Sequence, residues 1–124
     1  MAKLHHNGRS KTRVVILQYP LLESDAWRCL PAPACKIFIE MRRRFNGRNN
    51  GDISLSYREA ADVAGCSKSS AMRHMAALVV HGFIDLHNKG MMRNRRATTW
   101  YLTMEHCEYH TSYPTHRWRE FKHL

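Results

Sequence analysis

Hydrophobic residues recur every three or four positions in two stretches of the chain, and this spacing predicts two amphipathic helices. The first of them begins near residue 33, after Pro31, and ends at the turn formed by Asn46 and Gly47. Its buried side is expected to consist of Ala34, Ile37, Phe38, Met41 and Phe45. Upstream, Ser24 is placed to cap a short helical turn over 25–28, in which Trp27 is a candidate core residue together with Leu30.

A tight turn at Gly65 is expected to join a short helix to the second amphipathic helix. Ser56 followed three residues later by Glu59 forms a capping box, which marks the start of a helix over 57–64. Gly65 ends this helix, since glycine readily adopts the left-handed conformation of a helix C-terminus. A very short strand, with Ile53 and Leu55 pointing to the same side, precedes the capping box.

The second amphipathic helix spans 67–81. Ser67 is its N-cap and Gly82 follows its end. Its buried side is predicted to contain Ala71, Met75, Leu78 and Val79, and Cys66 is expected to fill the gap between the two helices. Two helices joined by so short a turn form a helix-turn-helix.

After Gly82 the apolar pattern changes to one typical of strands. Phe83, Ile84 and Leu86 predict one strand, and the β-prone run from Thr98 to Thr103 predicts another. The loop between them carries Lys89, Arg93, Arg95 and Arg96. The expected fold class is therefore α+β, a winged helix-turn-helix over 14–104 with three main helices and a C-terminal β-hairpin as the wing.

The two ends of the chain show weaker patterns of apolar and polar residues. Residues 1–13 predict a flexible basic arm, and residues 14–17 a short strand or extended segment that Pro20 ends. Residues 105–124 form a tail rich in aromatic and basic residues, in which Pro114 and Thr115 are placed to start a short helix with Trp118 on its inner side. The tail is expected either to pack on the domain or to make a dimer or DNA contact.

Charge narrows the choice of partner. The 124 residues include 20 Lys and Arg against 10 Asp and Glu, a net charge of +10, and fourteen of the 20 cations are arginines. Such an excess favours a polyanion, and arginine suits phosphates and guanine edges. Double-stranded DNA is thus the expected partner. No apolar run approaches the length of a membrane span, and four cysteines without a C-x-x-C pair fit reduced thiols in a cytosol. The expected location is therefore the cytoplasm, where binding to DNA would associate the protein with the nucleoid.

The outward side of helix 67–81 is the leading candidate for DNA contact, since no Asp or Glu occurs between Ser67 and Ile84. Lys68 and Arg73 can reach a phosphate or a guanine edge, the serines can donate to phosphate at the positive helix end, and Met72 suits a thymine methyl group. The full set of predicted DNA-binding residues is Arg58, Ser67, Lys68, Ser69, Ser70, Met72, Arg73, Lys89, Arg93, Arg95 and Arg96. The run Arg42, Arg43 and Arg44 has two interpretations, a solvated helix end or a further DNA contact.

The segment from Ser56 to Ala71 resembles a known motif. It reads Ser56-Tyr57-Arg58-Glu59-Ala60-Ala61-Asp62-Val63-Ala64-Gly65-Cys66-Ser67-Lys68-Ser69-Ser70-Ala71. This is similar to the signature of winged helix-turn-helix regulators, above all of the GntR family. The longer stretch from Trp27 to Thr103, about three-quarters of the chain, resembles small helix-turn-helix proteins of phages, plasmids and other mobile elements.

The resemblance implies sequence-specific binding to duplex DNA. It assigns DNA contacts to Arg58, Ser67, Lys68, Ser69, Ser70 and Arg73, and it places the wing on the flanking backbone or minor groove. GntR regulators also have an effector-binding domain, which this sequence lacks, so induction by a small molecule is not expected.

Three functional alternatives stay open at this point. The first is a bacterial or phage transcription regulator, with a homodimer as one possible state. The second is a replication or recombination accessory factor of a mobile element, and the third a winged helix that binds protein or single strands. No catalytic motif is present, so neither enzymatic activity nor a cofactor is expected. His106, Cys107, His110 and His116 are ligand types for zinc, but their spacing matches no structural zinc pattern.

Overall fold

The computed structural model describes residues 12–90 and 97–123. In this part of the chain it is an α+β fold with five α-helices, one 3₁₀ helix and a three-stranded antiparallel sheet. In chain order the elements are α1 (Tyr19–Leu22), α2 (Asp25–Arg28), α3 (Ala32–Arg44), β1 (Ile53–Ser54), α4 (Tyr57–Ala64), α5 (Lys68–Val80), β2 (Ile84–Asn88), β3 (Thr99–Leu102) and the 3₁₀ helix η1 (Arg117–Glu120).

The core lies where α3, α4 and α5 pack together on one face of the sheet. Ile37, Phe38 and Met41 of α3 are fully buried, as the apolar spacing predicts, and Phe45 is partly buried at the helix end. Phe38 lies 5.3 Å from the ring of Phe83. The helix ends at Arg44, two residues before Asn46, because Phe45 already has an extended conformation.

The capping signals around the turn between α4 and α5 are confirmed. The Ser56 side chain accepts from the Glu59 N–H, and the Glu59 carboxylate accepts from the Ser56 N–H, each at 3.0 Å. Gly65 has the left-handed φ of 71° that the turn requires. The Ser67 side chain caps α5 by accepting from the Ser70 N–H at 3.1 Å.

The sheet has the strand order β1-β3-β2, so β3 is central. Ile53 pairs with Trp100, and Ile84 pairs with Leu102. Trp100 is buried, and its Nε1 donates to the Leu55 carbonyl oxygen at 2.9 Å, which ties the loop after β1 to the central strand. A three-stranded sheet of this order behind a helix-turn-helix is compatible with a winged helix.

The helix count differs from the predicted three main helices, because two four-residue helices precede α3. The one over Asp25–Arg28 is the short turn expected after Ser24, whose side chain accepts from the Trp27 N–H. The one over Tyr19–Leu22 was not predicted. Pro20 was interpreted as a residue that ends an extended segment, but in the first turn of a helix proline loses no hydrogen bond and starts the helix instead. Residues 14–17 form no strand.

Three aromatic residues of the tail, Tyr113, Trp118 and Phe121, pack on the domain, whereas Tyr109 is exposed. Trp118 is buried and its ring is parallel to that of Phe83 at 6.4 Å, while Phe121 stacks on His81 at 4.1 Å. Arg117 forms an ion pair with Asp85 of β2, and the Tyr113 hydroxyl donates to the same carboxylate. The predicted short helix begins only at residue 117 and is a 3₁₀ helix.

Among the residues that the structure describes, no helix combines the length and the hydrophobicity that a membrane span requires.

Candidate nucleic-acid interface

Helix α5 has one buried and one exposed side. Ala71, Met75 and Leu78 are buried against α3 and α4, as predicted, and Val79 is partly buried. At 100° per residue, Ser69, Arg73, Ala76 and Val80 lie opposite this stripe and Met72 lies at the side of the helix next to them, and all five are exposed. We call these five residues the exposed stripe of α5. The helix along which they lie is about 20 Å long.

Hydroxyl groups cluster at the N-terminus of α5. The Ser67 hydroxyl lies 3.1 Å from the Ser70 hydroxyl and 3.3 Å from that of Ser69. The Ser70 oxygen accepts from Arg73 Nη2 at 3.0 Å. The Arg73 guanidinium is therefore oriented along the helix toward its N-terminal end, where the helix dipole is positive.

The cations of the helix-turn-helix have no acidic partner. Arg58 in the first turn of α4, Lys68 and Arg73 are exposed, and none of them forms an ion pair within the described residues. Cations, hydroxyl donors and a positive helix end on the exposed side of α5, which has no Asp or Glu, favour binding of an anionic ligand. The structure therefore places six predicted contacts, Ser67, Lys68, Ser69, Ser70, Met72 and Arg73, on one helix.

The arginine run at the end of α3 is engaged within the protein. Arg42 forms an ion pair with Glu105, and Arg43 and Arg44 bind Glu40 at 2.7 and 2.8 Å. The hydrogen bonds from Arg43 and Arg44 lower the pKa of Glu40 to about 2. Of the two interpretations of this run, the structure favours a helix end paired with acidic residues.

Arg44 also supports the helix-turn-helix, a role that the sequence analysis missed. Its Nη1 donates to the Ser54 carbonyl oxygen at 2.8 Å and to Glu59 at 3.2 Å. Glu59 is the capping-box residue of α4, and its pKa is lowered because its carboxylate accepts from the Ser56 N–H and faces Arg44. Arg44 thus links α3, β1 and α4. Its partners Ser54 and Glu59 are not adjacent to it in sequence, so no local pattern indicates these contacts.

The predicted wing is described only at its base. Strands β2 and β3 form the expected antiparallel hairpin, and Lys89 is exposed just after β2. The Gly90 N–H donates to the Thr98 hydroxyl at 3.1 Å, which holds the two sides together. Arg93, Arg95 and Arg96 lie outside the described residues.

Two of the four candidate zinc ligands of the tail, Cys107 and His110, form hydrogen bonds within the protein. The Cys107 thiol is buried and donates to the Asn50 carbonyl oxygen at 3.2 Å, and His110 Nδ1 pairs with the Ser112 hydroxyl at 2.6 Å. Burial lowers the pKa of His116, with Arg119 adding to the effect. Residues 12–90 and 97–123 contain no group of three or more His, Cys, Asp or Glu side chains that would hold a metal ion.

Comparison with protein-family models, with curated proteins and with solved structures finds no match to this chain.

Proposed function

We propose that this chain is a winged helix protein that binds double-stranded DNA sequence-specifically and acts as a transcription regulator in a bacterium or phage. Helix α5 docks in the major groove, and the hairpin of β2 and β3 lies on the flanking backbone. The observation that carries the proposal is the acid-free, exposed side of α5, on which Lys68 and Arg73 have no acidic partner among the described residues.

Several features separate this surface from an ordinary solvated helix face. Solvated faces commonly carry acidic and basic residues that pair with each other, as Glu40 and Arg43 do on α3. Toward the N-terminus of α5, the exposed residues are instead two cations, Lys68 and Arg73, one serine, Ser69, and two apolar residues, Met72 and Ala76. Small and apolar side chains next to a cation suit the bottom of a groove, where base edges offer both methyl groups and hydrogen-bond acceptors.

The pattern of ion pairs also supports docking of DNA on the helix-turn-helix. Four arginines of the described residues, Arg42, Arg43, Arg44 and Arg117, are paired with acids, whereas Arg58, Lys68 and Arg73 of the helix-turn-helix are not. The cationic excess of +10 thus includes unpaired positive charge on both helices of the motif. Arg58, at the start of α4, is placed to bind the backbone beside the groove.

Selection of bound duplexes from a random pool tests the proposal. We expect enrichment of a defined sequence, and a palindrome if the protein binds as a dimer. Arg73→Ala is expected to abolish the preference for that sequence, whereas Arg95→Ala should weaken binding to all duplexes and reduce the salt slope by about one. Equal affinity of the wild type for selected and random duplexes, or a preference for single strands in competition, would contradict the proposal.

Genome-wide mapping of the bound sites separates regulation from a role at replication origins or element ends. Sites that overlap promoters support the regulator. Sites confined to an origin or to the ends of a mobile element would assign the same DNA-binding surface to replication or recombination.

A further inference from the structure

Met72 lies among the exposed polar and cationic residues of α5 and is not part of the hydrophobic core. Its exposed fraction is 46%, whereas Met75, on the adjoining helix turn, is 1% exposed. Its neighbours one turn before are Lys68 and Ser69, and its neighbour one turn after is Ala76. The thioether is therefore a large exposed apolar group beside Arg73 and one turn after Lys68, the two cations of the proposed DNA-binding helix.

The neighbours of Met72 limit what it can contact. Ser69 and Ala76 are small, so they let another surface approach the helix closely on both sides of the methionine. The Arg73 guanidinium donates to the Ser70 hydroxyl at 3.0 Å, which directs it toward the N-terminal end of the helix. Major-groove edges of base pairs carry hydrogen-bonding groups and one apolar group, the 5-methyl group of thymine. A methionine that enters the groove with Arg73 has that methyl group as its apolar partner.

We infer that Met72 is a specificity-determining residue that contacts a pyrimidine 5-methyl group, so that the ligand class is duplex DNA with a thymine at a fixed position of the site. The inference rests on the proposed function and extends it from DNA binding to the recognition of one chemical group. A 5-methylcytosine presents the same methyl group and belongs to the same ligand class.

Replacement of thymine by uracil tests the inference, because it removes the methyl group and leaves base pairing intact. In the duplex selected from the random pool, each thymine is replaced in turn and binding is measured by fluorescence anisotropy at constant salt. We expect a loss of about fourfold in affinity at one position, the effect of burying one methyl group. Met72→Ala should bind the thymine and uracil duplexes equally.

Val80→Ala is the matched control. Val80 is apolar, 71% exposed and on the same stripe, but it lies eight residues, or about 12 Å, beyond Met72 toward the C-terminus of the helix. The N-terminal half of α5 enters the groove, so Val80→Ala should keep the fourfold preference for thymine. Circular dichroism of both variants verifies the fold, which neither exposed side chain supports.

The two proposals fail in different ways. Sequence-specific binding without a Met72-dependent loss at any thymine would overturn the methyl contact and leave the DNA-binding function standing. An effect of Met72→Ala on binding to a protein partner alone would likewise overturn the methyl contact and leave the DNA-binding function standing. Absence of duplex binding by the wild type would overturn both.

Discussion

Asn50 shows how a turn residue becomes part of the core. Its side chain is fully buried, its Oδ1 accepts from the Leu102 N–H at 2.6 Å, and its Nδ2 donates to the carbonyl oxygens of Leu102 and Glu105. Asn50→Ala would remove the partner of the Leu102 N–H and of the Glu105 carbonyl group, whereas the Leu102 carbonyl oxygen still accepts from the Glu105 N–H at 3.3 Å. We expect a loss of about 3 kcal/mol in the free energy of unfolding, measured with urea, since each such group costs about 1–3 kcal/mol.

Asn88→Ala is the control for this substitution. Asn88 is exposed at the end of β2, so its replacement should change the free energy of unfolding by less than about 0.5 kcal/mol. Equal effects of the two substitutions would show that the Asn50 side chain does not hold β3 in place.

The lowered pKa of Glu40 predicts that the stability of the protein depends on pH. Its pKa in the folded protein is lowered to about 2, so the ionised carboxylate stabilises the fold above its ordinary pKa of 4.5. This contribution is lost as the pH falls through that window toward 2. Glu40→Gln should therefore be less stable than the wild type by about 1 kcal/mol at pH 7, and the two should converge near pH 2 in urea unfolding.

The matched control removes a carboxylate that forms no ion pair within the described residues. Glu23 is exposed after α1, and Glu23→Gln should change the free energy of unfolding at pH 7 by less than about 0.5 kcal/mol. A difference between wild type and Glu40→Gln that persists undiminished at pH 2 would mean that the ion pairs with Arg43 and Arg44 do not stabilise α3.

The helices that carry the candidate site follow closely from local sequence. Ser56 and Glu59, Gly65 and Ser67 act on backbone groups within three residues, so the bounds of α4 and α5 are predicted within one residue. The contacts of Asn50 and Arg117 join residues more than 30 positions apart in sequence, and no local pattern indicates them. The exposure of Met72 likewise depends on how α3 and α4 pack against α5, which its sequence position alone does not decide.

Gly65 and Gly82 end helices in the same way but in different surroundings. Both have a positive φ, 71° and 90°, yet a Cβ on Gly65 meets no atom within 4 Å, whereas a Cβ on Gly82 would lie 2.6 Å from backbone atoms of Arg117 and Trp118. Gly65→Ala should cost about 1 kcal/mol, the strain of a left-handed residue with a side chain. Gly82→Ala should cost at least about 2 kcal/mol more, because it also displaces η1 from the end of α5.

Limited proteolysis distinguishes the two glycine variants. Displacement of η1 should expose the 113–121 segment, so Gly82→Ala is expected to be cleaved there under conditions that leave Gly65→Ala and the wild type intact. Similar stability and similar cleavage of both variants would contradict the close packing of the tail on Gly82.

Positive charge is not spread evenly over the protein. The arginines of α3 pair with Glu40, Glu59 and Glu105, and Arg117 pairs with Asp85, which reduces the effect of these acids on the field around α4 and α5. Asp62 of α4 is exposed and forms no ion pair within the described residues. Net charge of +10 explains attraction to a polyanion in general. The pairing pattern decides which cations remain available for phosphate groups.

The difference between a paired and an unpaired cation can be measured by comparing Arg58→Ala with Arg43→Ala. Both substitutions remove one positive charge from an exposed helical position. Arg58 has no acidic partner within the described residues, so its replacement should lower the affinity for all duplexes and reduce the slope of log K against log salt by about one. Arg43 is already paired with Glu40, and its replacement should leave the slope unchanged. Equal slopes for the two variants would mean that net charge alone, without docking through α4 and α5, accounts for the binding.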